Sequence, residues 1–161
     1  MPKKLEARHI IYFLMVLSVA VPLLKPMGLP LEISKTVRDS YNTIEALPNG
    51  STVVMIWDAV ASVFSELGAT GTAFLEHAFR KDMKVIIVTF QEGAVGSFPR
   101  ALKSLGRDDL VYGEDYIDLA FVPGQEQGLA AFTADIHGTV PVDRYGNKVV
   151  DMPITKNVKS L

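Results

Sequence analysis

The sequence predicts an α/β protein: a three-layer Rossmann-like or flavodoxin-like parallel sheet, preceded by an N-terminal transmembrane helix. Three observations carry this reading. Apolar runs rich in β-branched residues occur at Thr52–Trp57, Lys84–Phe90 and Tyr116–Val122, and such runs are expected of strands covered on both faces. Stretches with helical periodicity separate them, and strand-helix alternation is the pattern of parallel crossovers. Ahead of all this, Ile10–Leu24 contains no charged residue and follows Lys3, Lys4 and Arg8.

The N-terminal segment sets the domain organisation: residues 1–31 as membrane anchor and linker, residues 32–161 as an extracytoplasmic α/β domain. As a helix Ile10–Leu24 is about 22 Å long, short of the roughly 30 Å hydrocarbon core. It spans if the apolar stretch Pro26–Leu31 also sits at the interface and Lys25 snorkels. Pro22 is tolerated near a helix end, and Tyr12 stands where an interfacial aromatic belongs. The basic flank orients the N-terminus to the cytoplasm and the domain outside, as a single-pass protein of the cell membrane. Two rivals remain open. Ser18-Val19-Ala20 fits the small-residue pattern before a signal-peptidase cut, which would make the protein secreted. A soluble core helix is the other, but the stretch has no polar face of the kind a surface-packed helix shows.

Within the domain, Pro26, Gly28 and Pro30 form a breaker-rich link, and Ile33, Val37, Tyr41 and Ile44 then recur at helical spacing up to Pro48-Asn49-Gly50. Thr52–Trp57 is the first strand and stops at Asp58. A helix follows through Phe64, Leu67, Phe74, Leu75, Ala78 and Phe79 and closes in Arg80-Lys81, where positive charge suits the helix dipole. Lys84–Phe90 is the second strand. Pro99–Leu105 reads as a short helix with Ser97 as its cap. Tyr116–Val122 is the third strand, stopped by Pro123-Gly124, and a helix runs from Gln125 to about Ile136. Asp143–Asn147 reads as a turn between short extended pieces, Thr139–Val142 and Lys148–Met152.

Composition removes several functions. With sixteen basic and eighteen acidic residues the net charge is −2, which gives no electrostatic footprint for a phosphate backbone, so no nucleic-acid partner is expected. There is no cysteine, hence no disulfide, thiolate metal site or cysteine nucleophile. The histidines at 9, 77 and 137 have no partner at metal-ligand spacing, and no Gly-x-Ser-x-Gly elbow is present. Neither metal nor cofactor is expected. Gly68-Ala-Thr-Gly71 imitates a dinucleotide-binding glycine pattern, but Asp58–Leu67 separates it from the first strand, whereas the mechanism needs the glycines in the turn directly after that strand. A loose first turn or close helix-sheet packing explains these glycines better.

Open parallel sheets bind ligands beyond the carboxyl ends of their strands. The residues placed there are Asp58, Glu92, Gly93, Gly124 and Gln125, which form the candidate ligand crevice. Two carboxylates beside one crevice can hold a cation or act as acid and base. The competing reading is that Asp58 and its neighbours merely cap the helices that follow.

From Gly50 onward, Val53-Val-Met-Ile-Trp-Asp58, Ser65-Glu-Leu67, Phe79-Arg-Lys-Asp-Met-Lys-Val85, Glu92-Gly-Ala94, Tyr112-Gly-Glu-Asp-Tyr116, Phe121-Val-Pro-Gly124 and Asp143-Arg-Tyr-Gly146 resemble a group of uncharacterised prokaryotic membrane-anchored proteins. The resemblance implies an N-terminal anchor and an external α/β domain, often continued by a further strand and a C-terminal membrane helix. It implies no catalytic residues. The chain departs from that pattern by stopping at Asn157–Leu161, which leaves open whether the domain is incomplete at its C-terminus. The function expected is a binding or assembly module in a membrane protein complex, with protein partners or a second copy of itself. The alternative is a small-ligand-binding protein or enzyme that uses the strand-end crevice.

Overall fold

The computed structural model describes residues 7–25 and 32–161. Lys3, Lys4 and the link Pro26–Leu31 lie outside the described residues. The chain divides into two compact units, Met1–Asp39 and Ser40–Leu161.

The first unit contains α1, Ala7–Leu24, in which no residue is buried. It starts earlier than the uncharged run, and its eighteen residues give a length of about 27 Å, close to the hydrocarbon thickness. Its mean hydropathy of 1.9 makes it long and apolar enough to cross a membrane. Pro22 lies within it, in the last turn, where it has no N–H to offer the Ser18 carbonyl. Helix α2, Lys35–Ala46, leads into the second unit.

The second unit is a mixed α/β structure around a parallel sheet of β1 (Thr52–Ile56), β2 (Lys84–Thr89) and β3 (Tyr116–Phe121), in that spatial order. β2 lies in the middle. Its residues Val85 to Val88 are at most 1% exposed, each such side chain contributing about 1.5–3 kcal/mol relative to exposure. Their alternate side chains feed two cores. Val85 and Ile87 face α3 (Ala69–Arg80) and α4 (Ser97–Leu105) through Leu75, Phe79, Phe98 and Ala101. Ile86 and Val88, with Ile117 and Leu119, face α5 (Gln125–Ala134), α6 (Ile136–Thr139) and the C-terminal segment through Phe132, Ile136, Val149 and Ile154.

Several expectations are corrected. β1 is covered on both faces only in part, Val54 packing on one core and Val53 and Met55 on the other. It is an edge strand whose middle residues are half-buried, and Ile56 is 47% exposed. Trp57 lies beyond the strand and is buried against α3. A Cβ at Gly71 would stand 2.6 Å from the Trp57 ring, so the glycine permits close helix packing. The helix after β1 begins as a π-helical turn, Phe64–Gly68, before α3 proper. Ser97 is not the cap of α4. Gly96 holds that place, while the buried Ser97 hydroxyl accepts from Trp57 Nε1 at 2.7 Å and donates to the Ala94 carbonyl. The long helix after β3 breaks at Asp135, whose extended backbone and side-chain bond to Gly138 N start α6. Thr139 therefore ends a helix instead of opening a strand, and only the Val142–Lys148 bridge survives of the two extended pieces.

Candidate functional site

The strand-end crevice exists, but only part of the expected residue set lines it. Asp58 and Gln125 share a cavity of about 270 Å³ with Ile56, Phe90, Gln91 and Glu126. Glu92 and Gly93 are exposed on a separate short 3-10 turn, Glu92–Ala94, and Gly124 precedes α5 as its cap at φ +97°. Of the two carboxylates expected to converge, Asp58 lines this cavity and Glu92 does not.

Asp58 does not cap a helix either. Its Oδ1 accepts from Thr89 Oγ1 at 2.7 Å and from Phe90 N at 2.9 Å, which ties the end of β1 to the end of β2. This acid holds two strand ends together, and one carboxylate oxygen is committed to that task. At the other wall stands Gln125, which follows Gly124 as the second of two successive left-handed residues. For glycine that is free, but for Gln125 at φ +45° it costs on the order of 1 kcal/mol.

A second polar group, absent from the sequence-based set, lies at β3. Asp118 interrupts the strand with a carboxylate on a residue only 4% exposed. Its Oδ1 accepts from Ala120 N at 2.9 Å, an amide lifted from the ladder by a register shift opposite Ile87–Thr89 and by the φ of +58° at Ala120. Its Oδ2 has no hydrogen bond and faces Arg144 Nη1 at 3.5 Å. Burial raises the Asp118 carboxyl above its ordinary range. Asp143 is also buried, yet hydrogen bonds from Asn147 and Tyr112 outweigh that burial and hold its carboxyl below the usual range. Tyr112 donates to Asp143 Oδ2 at 2.7 Å, and burial raises its phenol. An acid inside a run as apolar as Tyr116–Phe121 is the signal that finds this group in the sequence, because carboxylates are rarely buried without partners.

These polar groups act on the outer edge of β3. Arg144 N donates to Asp118 O at 2.9 Å and Gly113 N to Tyr116 O at 2.7 Å. Asp118 N reaches the Tyr112 hydroxyl at 3.4 Å. The chain itself thereby satisfies these outward amides and carbonyls of β3.

His77 and His137 also hold structure. His77 lies 2.8 Å from Glu45 Oε2 and stacks on Tyr41 with ring centroids 4.4 Å apart, pinning the end of α2 to α3. His137 contacts the Thr155 carbonyl at 3.1 Å. Among the described residues no three metal-binding side chains gather into a site.

A larger concavity in the α/β unit is of another kind. An apolar groove of about 450 Å³ runs beside β1 between Ile44, Val53, Met55, Phe74 and Ala78.

No protein-family model matches the chain, and comparison with curated proteins and with solved structures returns no significant match.

Proposed function

We propose that the chain is a single-pass membrane protein whose α1 crosses the cell membrane with its N-terminus in the cytoplasm. Its α/β unit, of Rossmann-like or flavodoxin-like layout, acts outside as a binding or assembly module in a membrane protein complex. The observation that carries the reading is α1: a largely apolar helix of eighteen residues with none buried, a surface that only lipid or another chain satisfies. Support for the module comes from the crevice, where Asp58 is committed to Thr89 and Phe90 and no nucleophile-base pair or glycine-rich phosphate turn stands at a strand end among the described residues. The order β1-β2-β3, with a core on each face of the sheet, favours the Rossmann-like form of that layout, since a flavodoxin-like sheet places its first strand between the second and third.

Membrane fractionation tests this. The chain is expected to stay with membranes in high salt and in carbonate and to leave them in detergent, because a helix this apolar is not held by charge. Release by carbonate contradicts the anchor. A soluble form beginning at Val21 replaces it with a cleaved signal and a secreted domain.

A second reading is favoured by one observation, the meeting of Asp58 and Gln125 in the crevice of about 270 Å³. There the domain binds a small ligand or acts as an enzyme. A nucleotide or metal that copurifies and is lost on Gln125→Ala would establish it over the assembly reading.

A further inference from the structure

The hydrogen bonds Lys84 N to Ser51 O and Trp57 N to Val88 O fix the phase of β1 on β2. In a parallel ladder the residues that bond the neighbour alternate with those that do not. Ser51, Val53, Met55 and Trp57 thus face β2, and the amides and carbonyls of Thr52, Val54 and Ile56 point to the open edge. Among the described residues no group bonds them.

We infer that the open edge of β1 pairs antiparallel with β1 of a second copy, about a twofold axis at Val54, joining two sheets into one of six strands. This rests on the reading of the domain as an assembly module and names its partner. The outward set is symmetric about Val54, so a single register joins Val54 to Val54 and Thr52 to Ile56 of the other copy and satisfies all the outward groups at once. That self-complementarity is what an isologous interface requires. The side chains brought face to face are β-branched and mostly apolar: Val54 is half-buried and Ile56 half-exposed, and such cross-strand pairs stabilise a sheet. No Lys, Pro or inward charge guards the strand, whereas edges kept from pairing usually carry one.

Charge selects the same partner. Lys84, at the amino end of the sheet beside Thr52, and Glu126, at the carboxyl end beside Ile56, make no ion pair among the described residues. Lys84 shares the parity of Ile86 and Val88, and so lies on the face that carries α5 and Glu126. The twofold axis keeps faces together while reversing strand direction. It brings Lys84 of each copy to the end occupied by Glu126 of the other, two strand spacings or about 10 Å from Ile56, a gap that long side chains close. On the other face it aligns the apolar grooves of the two copies across the joint.

The test uses the full chain in detergent and in lipid nanodiscs, and the absence of cysteine makes a single introduced thiol specific. Val54→Cys is expected to cross-link under mild oxidation roughly tenfold faster than Val150→Cys, an exposed control away from β1, because pairing raises the local thiol concentration. Ile56→Lys is expected to convert the dimer to monomer without loss of fold. Lys84→Glu and Glu126→Lys should each weaken the dimer, and the double exchange should restore it. A monomeric wild-type chain overturns the inference. A dimer in which the Val54→Cys variant cross-links no faster than the Val150→Cys variant also overturns it, while leaving the assembly reading intact and only its surface wrong.

Discussion

The two edges of the sheet are treated in opposite ways. At β3 the chain devotes a whole segment to closure: the turn after α6 delivers Arg144 N to Asp118 O, Tyr112 covers Asp118 N, and a buried carboxylate receives Ala120 N. At β1 the strand carries no charge, and nothing among the described residues covers its outward backbone. An unpaired strand edge is a standing invitation to another chain. A protein that seals one edge with buried charge and leaves the other apolar has divided its sheet into a closed side and an associating side.

The largest effect is expected on the sealed side. Asp143 is 5% exposed and accepts from Tyr145 N, Asn147 N, Asn147 Nδ2 and the Tyr112 hydroxyl. Asp143→Ala leaves those donors stranded and should cost about 3 kcal/mol, measured as a lower urea midpoint. A loss under about 1 kcal/mol would mean that the closure is ornamental.

Next comes the packing that carries β1. A methyl at Gly71 meets the Trp57 ring, and Gly71→Ala should cost about 2 kcal/mol by overpacking, against the gain such a change gives in an open helix. Thermal unfolding reads the sign directly, and a stabilised variant would place Trp57 elsewhere.

A smaller effect appears as pH dependence. Because burial raises the Asp118 carboxyl, its folded state prefers the proton. Its contribution is fully present below the ordinary carboxyl value of about 4 and is lost as pH rises through the raised one. Asp118→Asn should therefore gain on the wild type as pH increases from about 4 to 7. Asp143, held low, works in the opposite direction and loses its contribution only as pH falls below the ordinary range. A constant difference between wild type and the Asp118→Asn variant across that window contradicts the account.

Smallest of all is Ile56→Lys on the open side. Its effect on the stability of the isolated monomer should stay within about 0.5 kcal/mol, since the side chain is already half in solvent. Urea unfolding at low protein concentration measures it, and a loss as large as that of Asp143→Ala would erase the difference between the two edges.

The sequence made the strands legible because Thr52–Trp57, Lys84–Phe90 and Tyr116–Val122 are all apolar runs rich in β-formers. It did not make their order legible. Thr52–Trp57 and Lys84–Phe90 look alike in composition, yet one is half-open and the other buried from Val85 onward, because central and edge positions are set by which strands flank them. That the glycines at 68 and 71 are not a phosphate turn was readable from their distance to the strand, a local property, but the choice between a loose first turn and close packing was not, and the Trp57 ring decides it for Gly71. The crevice was half-readable: strand ends locate Asp58 and Gln125, but the direction of Glu92 depends on a turn after β2 that periodicity does not specify. The Asp118 group was missed although its signal, an acid in an apolar strand, was present. Its partners Tyr112, Asp143 and Arg144 come from segments that only the folded chain brings together.

The central claim, one edge closed by the chain itself and the other by a second copy, is tested most directly by amide hydrogen exchange followed against protein concentration. Protection at Thr52, Val54 and Ile56 is expected to rise as the chain is concentrated, while protection at Asp118 and Ala120 stays constant. Exchange at Val54 that is fast at every concentration, or protected equally at all of them, would contradict it.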